Sequence, residues 1–367
     1  MTSPIRVLHV VVAGDIGGAE RLLVDLGKRP AASGAEHAVA LMTPNEALAR
    51  YFLDSGVRVV DRGRVRENAA AYLWRSFGPA DVAWLEGTMR RERAQVAHLH
   101  TFASHVVGLR AARRAGIPVL RTEHHVQYFV DWDTRYFTRW SLARVDAVVA
   151  ISDYVRDFVA RIAPSIVPRM RVVRNGVDAD YFSPRPPPPG HAADARFTFV
   201  VACRLVPWKG VDLILEAMHH VPAAHLDIVG DGPERARLEA RAASLGGRVR
   251  FLGYLKDPRD ALAGGDTVIN SSREEPLGLS VLEAEAMARP VIAFAGGGVP
   301  EVVQDRTTGW LVRERSAAAL AQAMREAASS RERARAMGGA ARALVEREHR
   351  IERMCAGYGE CYAALAG

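Results

Sequence analysis

Cysteine is scarce in this chain of 367 residues, which has only Cys203, Cys355 and Cys361. These residues form no C-x-x-C pair, and their odd number and uneven spacing exclude a regular disulfide framework. We therefore expect a protein of a reducing compartment, with a cytoplasmic location.

Long hydrophobic runs and compact basic clusters are also missing. The apolar run Val7–Ala13 is too short for a membrane-spanning helix and lacks a cleavage site, so we interpret it as the first buried strand. The formal net charge of +7 favours anionic partners. However, the basic residues are mostly arginines scattered along helices, which argues against a nucleic-acid partner.

The overall composition is typical of a soluble globular protein, with 49% hydrophobic and 25% charged residues. The length suits two domains. Short runs rich in valine and isoleucine alternate with segments of helical spacing, a pattern that predicts a doubly wound parallel α/β fold. The alternation stops at Pro184–Gly190, which holds four consecutive prolines, and then restarts.

We therefore divide the chain at this proline-rich segment. The predicted parts are a Rossmann-like domain over residues 1–183, a linker over 184–195, a second Rossmann-like domain over 196–346 and a last helix over 347–367. Within the second half, Pro300–Asp305 is predicted as a helix and Ser316–Ala366 as helical throughout.

The stretch Glu275–Glu283, with the sequence E-P-L-G-L-S-V-L-E, is the most informative of the chain. It follows the predicted strand Asp266–Asn270 and runs into a helical segment. Glu275 is therefore predicted on a loop at the carboxyl end of a strand, the edge where open α/β sheets bind ligands, and Glu283 one to two turns into the helix. Two solvated surface carboxylates are the alternative interpretation.

Two cations follow an earlier strand of the same domain. Arg204 and Lys209 come directly after Phe197–Ala202, in the sequence C-R-L-V-P-W-K-G. Two cations at a strand end favour a clamp for a diphosphate. Two unrelated surface cations remain the alternative.

Glycine-rich turns follow several of the predicted strands. Glycine lets the backbone approach a ligand closely, and a helix N-terminus favours a phosphate. A plain strand-to-helix turn is the alternative for each. The first turn lacks the G-x-G-x-x-G spacing, so a dehydrogenase-type dinucleotide site is disfavoured. The turns are Gly14–Glu20, Val229–Pro233, Phe251–Tyr254 and Gly296–Glu301.

Histidines accompany two strands of the first half. His98 and His100 alternate along one predicted strand, so both lie on one face, and His124 and His125 follow the next strand. No H-E-x-x-H or Cys/His spacing is present, so we predict no metal site. His100 ends its strand and is the better ligand-site candidate, whereas His98 is interpreted as a packed histidine.

Together these features resemble the retaining glycosyltransferases of family 4, which have the GT-B fold. The resemblance is carried by G-G-A-E, R-x-x-x-x-K-G, G-D-G-P, E-x7-E and G-G-x-P-E in this order, with V-V-A-I-S at Val148–Ser152 and N-G-V-D at Asn175–Asp178. It covers nearly the whole chain. It implies two facing Rossmann-like domains, of which the first mainly binds the acceptor and the second the nucleotide sugar, with the last helix crossing back to the first.

The resemblance also implies roles for single residues. Arg204 and Lys209 would hold the donor diphosphate, Glu283 the ribose hydroxyls and Glu275 the hydroxyls of the donor sugar. The residues expected to take part in catalysis are His100, Glu275, Arg204 and Lys209. The expected donor-binding residues are Gly17, Gly18, Arg204, Lys209, Gly230, Asp231, Tyr254, Glu275, Pro276, Leu277, Gly278, Leu279 and Glu283. The acceptor-side candidates are Glu20, His124 and Asn175. Leu277 stands where many members have phenylalanine.

The implied reaction is transfer of a sugar, with retention, from a UDP- or GDP-linked donor to a hydroxyl acceptor, without a metal or another cofactor. The acceptor would be a glycan, a lipid-linked molecule or a small molecule of bacterial cell-envelope, glycolipid or secondary-metabolite synthesis. A nucleotide-sugar epimerase or hydrolase on the same scaffold and a non-catalytic nucleotide-sugar-binding protein are the alternatives.

An aromatic segment, Tyr128–Trp140, suggests a further partner. In one hypothesis it touches an inner membrane surface, which would make the protein peripheral to that membrane. In the other, slightly favoured, its aromatic side chains pack in the core or at the acceptor site.

Overall fold

The computed structural model describes residues 3–12, 16–43, 45–63, 78–132, 134–188 and 196–367. The chain forms two compact units, one of Met1–Asn175 with Ile351–Gly367 and the other of Gly176–Arg350. Gly14 and Asp15 of the first glycine turn lie outside the described residues, as do residues 189–195 of the predicted linker. No helix in the described ranges is both long and apolar enough to cross a membrane.

The first unit is built on a parallel sheet. Its strands are β1 (Ile5–Val11), β2 (Ala35–Leu41), β3 (Arg58–Asp61), β4 (Val96–Leu99), β5 (Val119–Glu123), β6 (Ala147–Ala150) and β7 (Met170–Val172). Among the described residues their order is β3-β2-β1-β4-β5-β6-β7. The connecting helices are α1 (Gly18–Lys28), α2 (Pro30–Ser33), α3 (Glu46–Asp54), α4 (Pro79–Arg91), α5 (Phe102–Ala115), α6 (Arg135–Leu142) and α7 (Asp153–Ile162).

The second unit repeats this architecture. Its strands are β8 (Phe197–Ala202), β9 (Ala224–Val229), β10 (Val249–Gly253), β11 (Thr267–Asn270), β12 (Val291–Phe294) and β13 (Gly309–Val312). In the described part of the chain their order is β10-β9-β8-β11-β12-β13, all parallel. The helices are α8 (Val211–Met218), α9 (Arg235–Ala242), α10 (Arg259–Gly264), α11 (Leu279–Ala286), α12 (Ala317–Ala328) and α13 (Arg331–Glu348). The predicted doubly wound α/β class is confirmed.

The last helix, α14 (Ile351–Ala366), belongs to the first unit. Its buried side chains recur at helical spacing, which gives the helix one apolar face. This face packs against side chains of β1, β5 and β6, among them Val7, Leu120 and Val149. The largest of its side chains, Tyr358 and Tyr362, are fully buried.

The compact units divide earlier in the chain than the proline-rich segment. The Val177 N–H donates to the His349 carbonyl at 2.9 Å. The Arg342 guanidinium donates to the carbonyls of Ala179 at 2.7 Å and Phe182 at 2.9 Å. Because of these bonds, the residues that follow Asn175 are part of the second unit.

The predicted helix Pro300–Asp305 is wrong. The chain makes only a 3-10 turn at Val299–Glu301. Beyond it the Gln304 N–H binds the Thr308 hydroxyl at 2.9 Å, and Arg306 adopts a positive φ of 62°. These local bonds turn the chain directly into β13. This strand, like helices α4 and α10, was not predicted from the sequence.

Candidate functional site

The strand order of the second unit reverses at β8, which lies between β9 and β11. In open α/β sheets the carboxyl ends of the strands at such a switch point form the ligand-binding edge. Arg204 and Lys209 follow β8, and Glu275 follows β11. Two groups that the sequence analysis singled out separately therefore share one edge of the sheet.

Lys209 and Glu275 form an ion pair at this edge. Lys209 Nζ lies 2.7 Å from Glu275 Oε2, and the Ser272 hydroxyl donates to the same oxygen at 3.0 Å. The two side chains are 22% and 14% exposed, so the pair is shielded from most of the solvent. An ammonium has three N–H donors, of which Glu275 takes one. The other two are available in number to donate to an anionic ligand.

The segment that follows the neighbouring strand β11 holds the loop that carries Lys209. The Ser271 hydroxyl donates to the Lys209 carbonyl at 2.7 Å, and the Arg273 N–H donates to the Trp208 carbonyl at 2.8 Å. Gly210 ends the turn with a φ of 66°, and a Cβ there would lie 2.4 Å from the Ser271 carbonyl oxygen. Glycine is therefore required where the two loops meet.

The glycine turn after β12 holds the Glu275 segment. The Gly298 N–H donates to the Glu275 carbonyl at 2.9 Å. A Cβ on Gly297 or Gly298 would lie 2.1 Å from the carbonyl oxygen of Glu275 or of Pro276, respectively. In this structure these glycines permit close contact between two backbone segments, and they thereby position Glu275.

The residues after Glu275 lead into α11. Gly278 precedes the helix with a φ of 104°, and Leu279 is its first residue. Leu277 is 1% exposed, so it packs in the core of the unit. Glu283 lies in the second turn of the helix and is half-buried. Glu285, which the sequence analysis missed, is fully buried, and its burial raises the pKa of its carboxyl well above the usual value.

Two further turns flank the same edge. Gly230, after β9, has a φ of 133°, and a Cβ there would lie 1.8 Å from the Cys203 carbonyl oxygen, directly before Arg204. The Asp231 carboxylate accepts hydrogen bonds from the Gly232 N–H at 2.7 Å and the Arg235 guanidinium at 3.0 Å, which lower its pKa. Tyr254, after β10, is 74% exposed.

The glycine turn of the first unit opens α1. Gly17 and Gly18 are exposed, and the Gly17 N–H donates to the Glu20 carboxylate at 2.9 Å. Glu20 itself is 4% exposed, so its carboxylate caps this helix. Asn175 is also buried, and its Oδ1 has no hydrogen-bond partner among the described residues.

His98 of β4 and His100, which directly follows this strand, have ring centroids 4.0 Å apart. His98 is packed as expected, bonded to the Tyr362 and Thr122 hydroxyls at 2.9 and 2.7 Å. His100 is 3% exposed, and its nitrogens lie 2.9 Å from His9 and 3.2 Å from His124. His124 is half-buried, as is its neighbour His125, and burial lowers the pKa of His124 to about 3.

Several polar residues that hold these groups were not predicted from the sequence. Ser271 and Ser272 carry a recognisable signal, because two hydroxyls directly follow a buried strand. His9 is signalled by its position in the otherwise apolar run V-L-H-V-V. His37 carries no comparable signal.

Comparison with known proteins identifies the family. Residues 16–181 match the profile described as Glycosyltransferase Family 4, and residues 196–330 match Glycosyl transferases group 1. The alpha-maltose-1-phosphate synthase of Mycolicibacterium smegmatis is 30% identical over 286 residues, which cover 68% of this chain and 74% of that protein. The chain belongs to glycosyltransferase family 4. A second member, the GDP-mannose-dependent alpha-(1-6)-phosphatidylinositol monomannoside mannosyltransferase of Mycobacterium tuberculosis, is 34% identical over 271 residues, covering 67% of this chain and 69% of that one.

Solved structures agree on the fold of this family 4 glycosyltransferase. The Anabaena HepE protein in complex with UDP and glucose superposes with a TM-score of 0.85 at 22% identity, covering 98% of this chain and 100% of that one. Sucrose-phosphate synthase of Thermosynechococcus elongatus gives 0.83 at 22% identity, covering 98% and 99%. The predicted GT-B fold is confirmed.

Proposed function

We propose that this glycosyltransferase moves a sugar from a nucleoside-diphosphate sugar to a hydroxyl acceptor with retention and without a metal ion. The observation that carries the proposal is the ion pair of Lys209 and Glu275 at the switch point of the second sheet. It combines a cation suited to a diphosphate with a carboxylate suited to sugar hydroxyls. Lys209 and Arg204 would stabilise the charge that develops on the leaving diphosphate.

The proposed transfer breaks one bond of the donor and forms one bond to the acceptor. The bond between the anomeric carbon and the phosphate oxygen breaks, and a bond to the acceptor oxygen forms on the same face of the sugar. The proton of the acceptor hydroxyl passes to the leaving phosphate. Glu275 would orient the sugar, and Glu283 would bind the ribose hydroxyls. The acceptor would be a glycan, a lipid-linked molecule or a small molecule of bacterial cell-envelope, glycolipid or secondary-metabolite synthesis.

Donor screening by thermal shift tests this proposal. Two relatives suggest which donors to begin with, one named GDP-mannose-dependent and the other solved with UDP and glucose. A donor at one hundred times its Kd is expected to stabilise the protein by about 2.7 kcal/mol, a shift of several degrees in Tm. UDP-, GDP- and dTDP-sugars are the probes, and free sugar with inorganic phosphate is the control. Equal shifts for probes and control would contradict the proposal.

Product analysis then separates the proposed reaction from its alternatives. Proton NMR of the product is expected to show the anomeric configuration of the donor. An inverted product would contradict retention. Rapid donor turnover without acceptor would favour an epimerase or hydrolase, and tight donor binding without turnover would favour a binding protein.

The aromatic segment supports a further part of the proposal, contact with an anionic membrane surface. Phe129 is buried and Tyr128, Phe137 and Trp140 are half-buried, in line with the packing that the sequence slightly favoured. Trp132 and Tyr136, however, are 83% and 70% exposed. Arg135 and Arg139 of α6 are also exposed. Beside them a surface depression of about 490 Å³ is lined by Leu109, Arg110, Arg113, Arg114, Trp140 and Arg144. Aromatic rings among arginines suit the interface of an anionic bilayer.

Sedimentation with phosphatidylglycerol vesicles at low salt tests this contact. Each arginine near an anionic surface contributes about 1 kcal/mol, so the variant Arg135→Gln/Arg139→Gln is expected to bind roughly 30-fold more weakly than the wild type. Arg313→Gln, an exposed arginine beyond β13, is the matched control and should bind like the wild type. Wild-type protein that stays in the supernatant would contradict membrane contact.

A further inference from the structure

Four imidazoles and one hydroxyl of the first unit form a continuous hydrogen-bonded chain. His124 Nε2 lies 3.2 Å from His100 Nδ1, and His100 Nε2 lies 2.9 Å from His9 Nδ1. His9 Nε2 lies 2.9 Å from His37 Nδ1, and His37 Nε2 lies 2.9 Å from the Ser33 hydroxyl. We call this series, from Ser33 to His124, the histidine chain.

The strand register of the sheet brings these rings together. His9 of β1 pairs with His98 of β4, and His37 of β2 pairs with Val7, two residues before His9. Residues at the same register of neighbouring strands, and residues two apart on one strand, point to the same face. His9, His37 and His100 therefore share the face against which Tyr362 packs.

Burial keeps the rings of the histidine chain neutral at pH 7. It holds the pKa values of His9 and His100 well below the usual value, and it lowers that of His37 to about 4. A neutral imidazole has one N–H donor and one acceptor nitrogen. Each ring that accepts from one neighbour must therefore donate to the other. The four tautomers are coupled, and the whole chain has only two arrangements.

Ser33 distinguishes between these two arrangements. Its hydroxyl also lies 3.3 Å from the Pro30 carbonyl and 3.4 Å from the Arg29 carbonyl, which can only accept. The hydroxyl can donate to a carbonyl only when it receives its bond from His37 Nε2–H. That arrangement makes one hydrogen bond more than the reverse arrangement, in which the Ser33 hydroxyl donates its proton to His37 and therefore cannot donate to a carbonyl. It places the proton on Nε2 of every ring.

We propose that Ser33, His37 and His9 are positioning residues that hold His100 and His124 in the Nε2–H tautomer. His124, the half-buried end of the histidine chain, then presents Nδ1 as a hydrogen-bond acceptor. If the acceptor hydroxyl of the transfer reaction binds at this end, that nitrogen orients it. This consequence for catalysis rests on the proposed function, whereas the tautomers themselves do not.

Nitrogen NMR tests the tautomers directly. In the full-length protein labelled with ¹⁵N-histidine, two-bond ¹H–¹⁵N spectra at pH 7 are expected to show Nε2–H for His9, His37, His100 and His124. Two neighbouring rings with opposite tautomers would overturn the proposal. So would tight binding of one Zn²⁺ per chain that removes these signals, because ligand nitrogens of His9, His98 and His100 lie within 4.8 Å of one another.

Ser33→Ala tests the coupling along the histidine chain. Without the hydroxyl the two arrangements make the same number of hydrogen bonds. All four rings, including distant His124, should therefore shift together toward a mixture of tautomers. Ser55→Ala, which removes a hydroxyl that donates to the Tyr51 carbonyl, should leave them unchanged. A change confined to His37 would overturn the coupling.

Transfer kinetics supply the second measurement. In an equal mixture of the two arrangements, only half of the molecules have the His124 tautomer that orients the acceptor hydroxyl. The kcat of Ser33→Ala is therefore expected to fall about two-fold, while KM for the donor stays the same. An unchanged kcat beside mixed tautomers would overturn the positioning role. A wild-type protein without transfer activity would instead count against the proposed function, while the NMR result would stand.

Discussion

Transfer by the Lys209→Ala variant is expected to be on the order of 10²–10³ times slower than transfer by the wild type. The diphosphate gains charge as the bond to the sugar breaks, and a cation fixed beside it stabilises that state more than the ground state. Lys209 is fixed in this way, because its carbonyl is held by Ser271 and its ammonium lies 2.7 Å from Glu275. The measurement is kcat/KM with the donor found by thermal shift.

The size of this loss separates catalysis from folding. The Lys209–Glu275 pair is shielded from most of the solvent, so Lys209→Ala is also expected to lower the free energy of unfolding by about 1–3 kcal/mol, and the rates are compared on folded protein. Lys28→Ala, which removes a lysine of the first unit, is the matched control and should retain wild-type activity. If Lys209→Ala kept both the rate and the donor affinity of the wild type, the donor site would have to lie elsewhere.

The local sequence predicts the elements that carry this site but not their contacts. Strand β8 and strand β11 are short apolar runs followed by charged or glycine-rich turns, so their place and type can be predicted. The ion pair joins residues 66 positions apart. Its existence depends on β8 and β11 being neighbours, which follows from the topology of the whole sheet. The contacts of the Ser271 and Ser272 hydroxyls with Lys209 and Glu275 depend on the same strand order.

The histidine chain shows the same limit more sharply. Alternation along β4 predicts that His98 and His100 share a face. It does not predict that His9 and His37 join them, because alternation along one strand does not show which strands are its neighbours in the sheet. Conversely, the helix predicted at Pro300–Asp305 does not form beyond its first turn, because the Thr308 hydroxyl accepts the hydrogen bond of the Gln304 N–H.

The largest expected effect on stability comes from the last helix. Tyr362→Ala is expected to lower the free energy of unfolding of the first unit by about 3–5 kcal/mol, as for other buried aromatic side chains. Tyr362 is fully buried in the apolar cluster that joins α14 to the sheet. Its hydroxyl bonds to His98 Nδ1 at 2.9 Å, so its removal also takes away the hydrogen bond of this buried ring nitrogen.

Tyr362→Phe separates the two contributions. The ring stays and only the hydroxyl is lost, so the expected cost is about 1–3 kcal/mol, the penalty for a buried polar atom left unsatisfied. Scanning calorimetry with hydrogen exchange resolved along the chain measures both variants. The unfolding of residues in the second unit should be unaffected as long as that unit unfolds separately. Equal losses for the two variants would mean that the hydrogen bond to His98, and not the packed ring, holds α14 to the sheet.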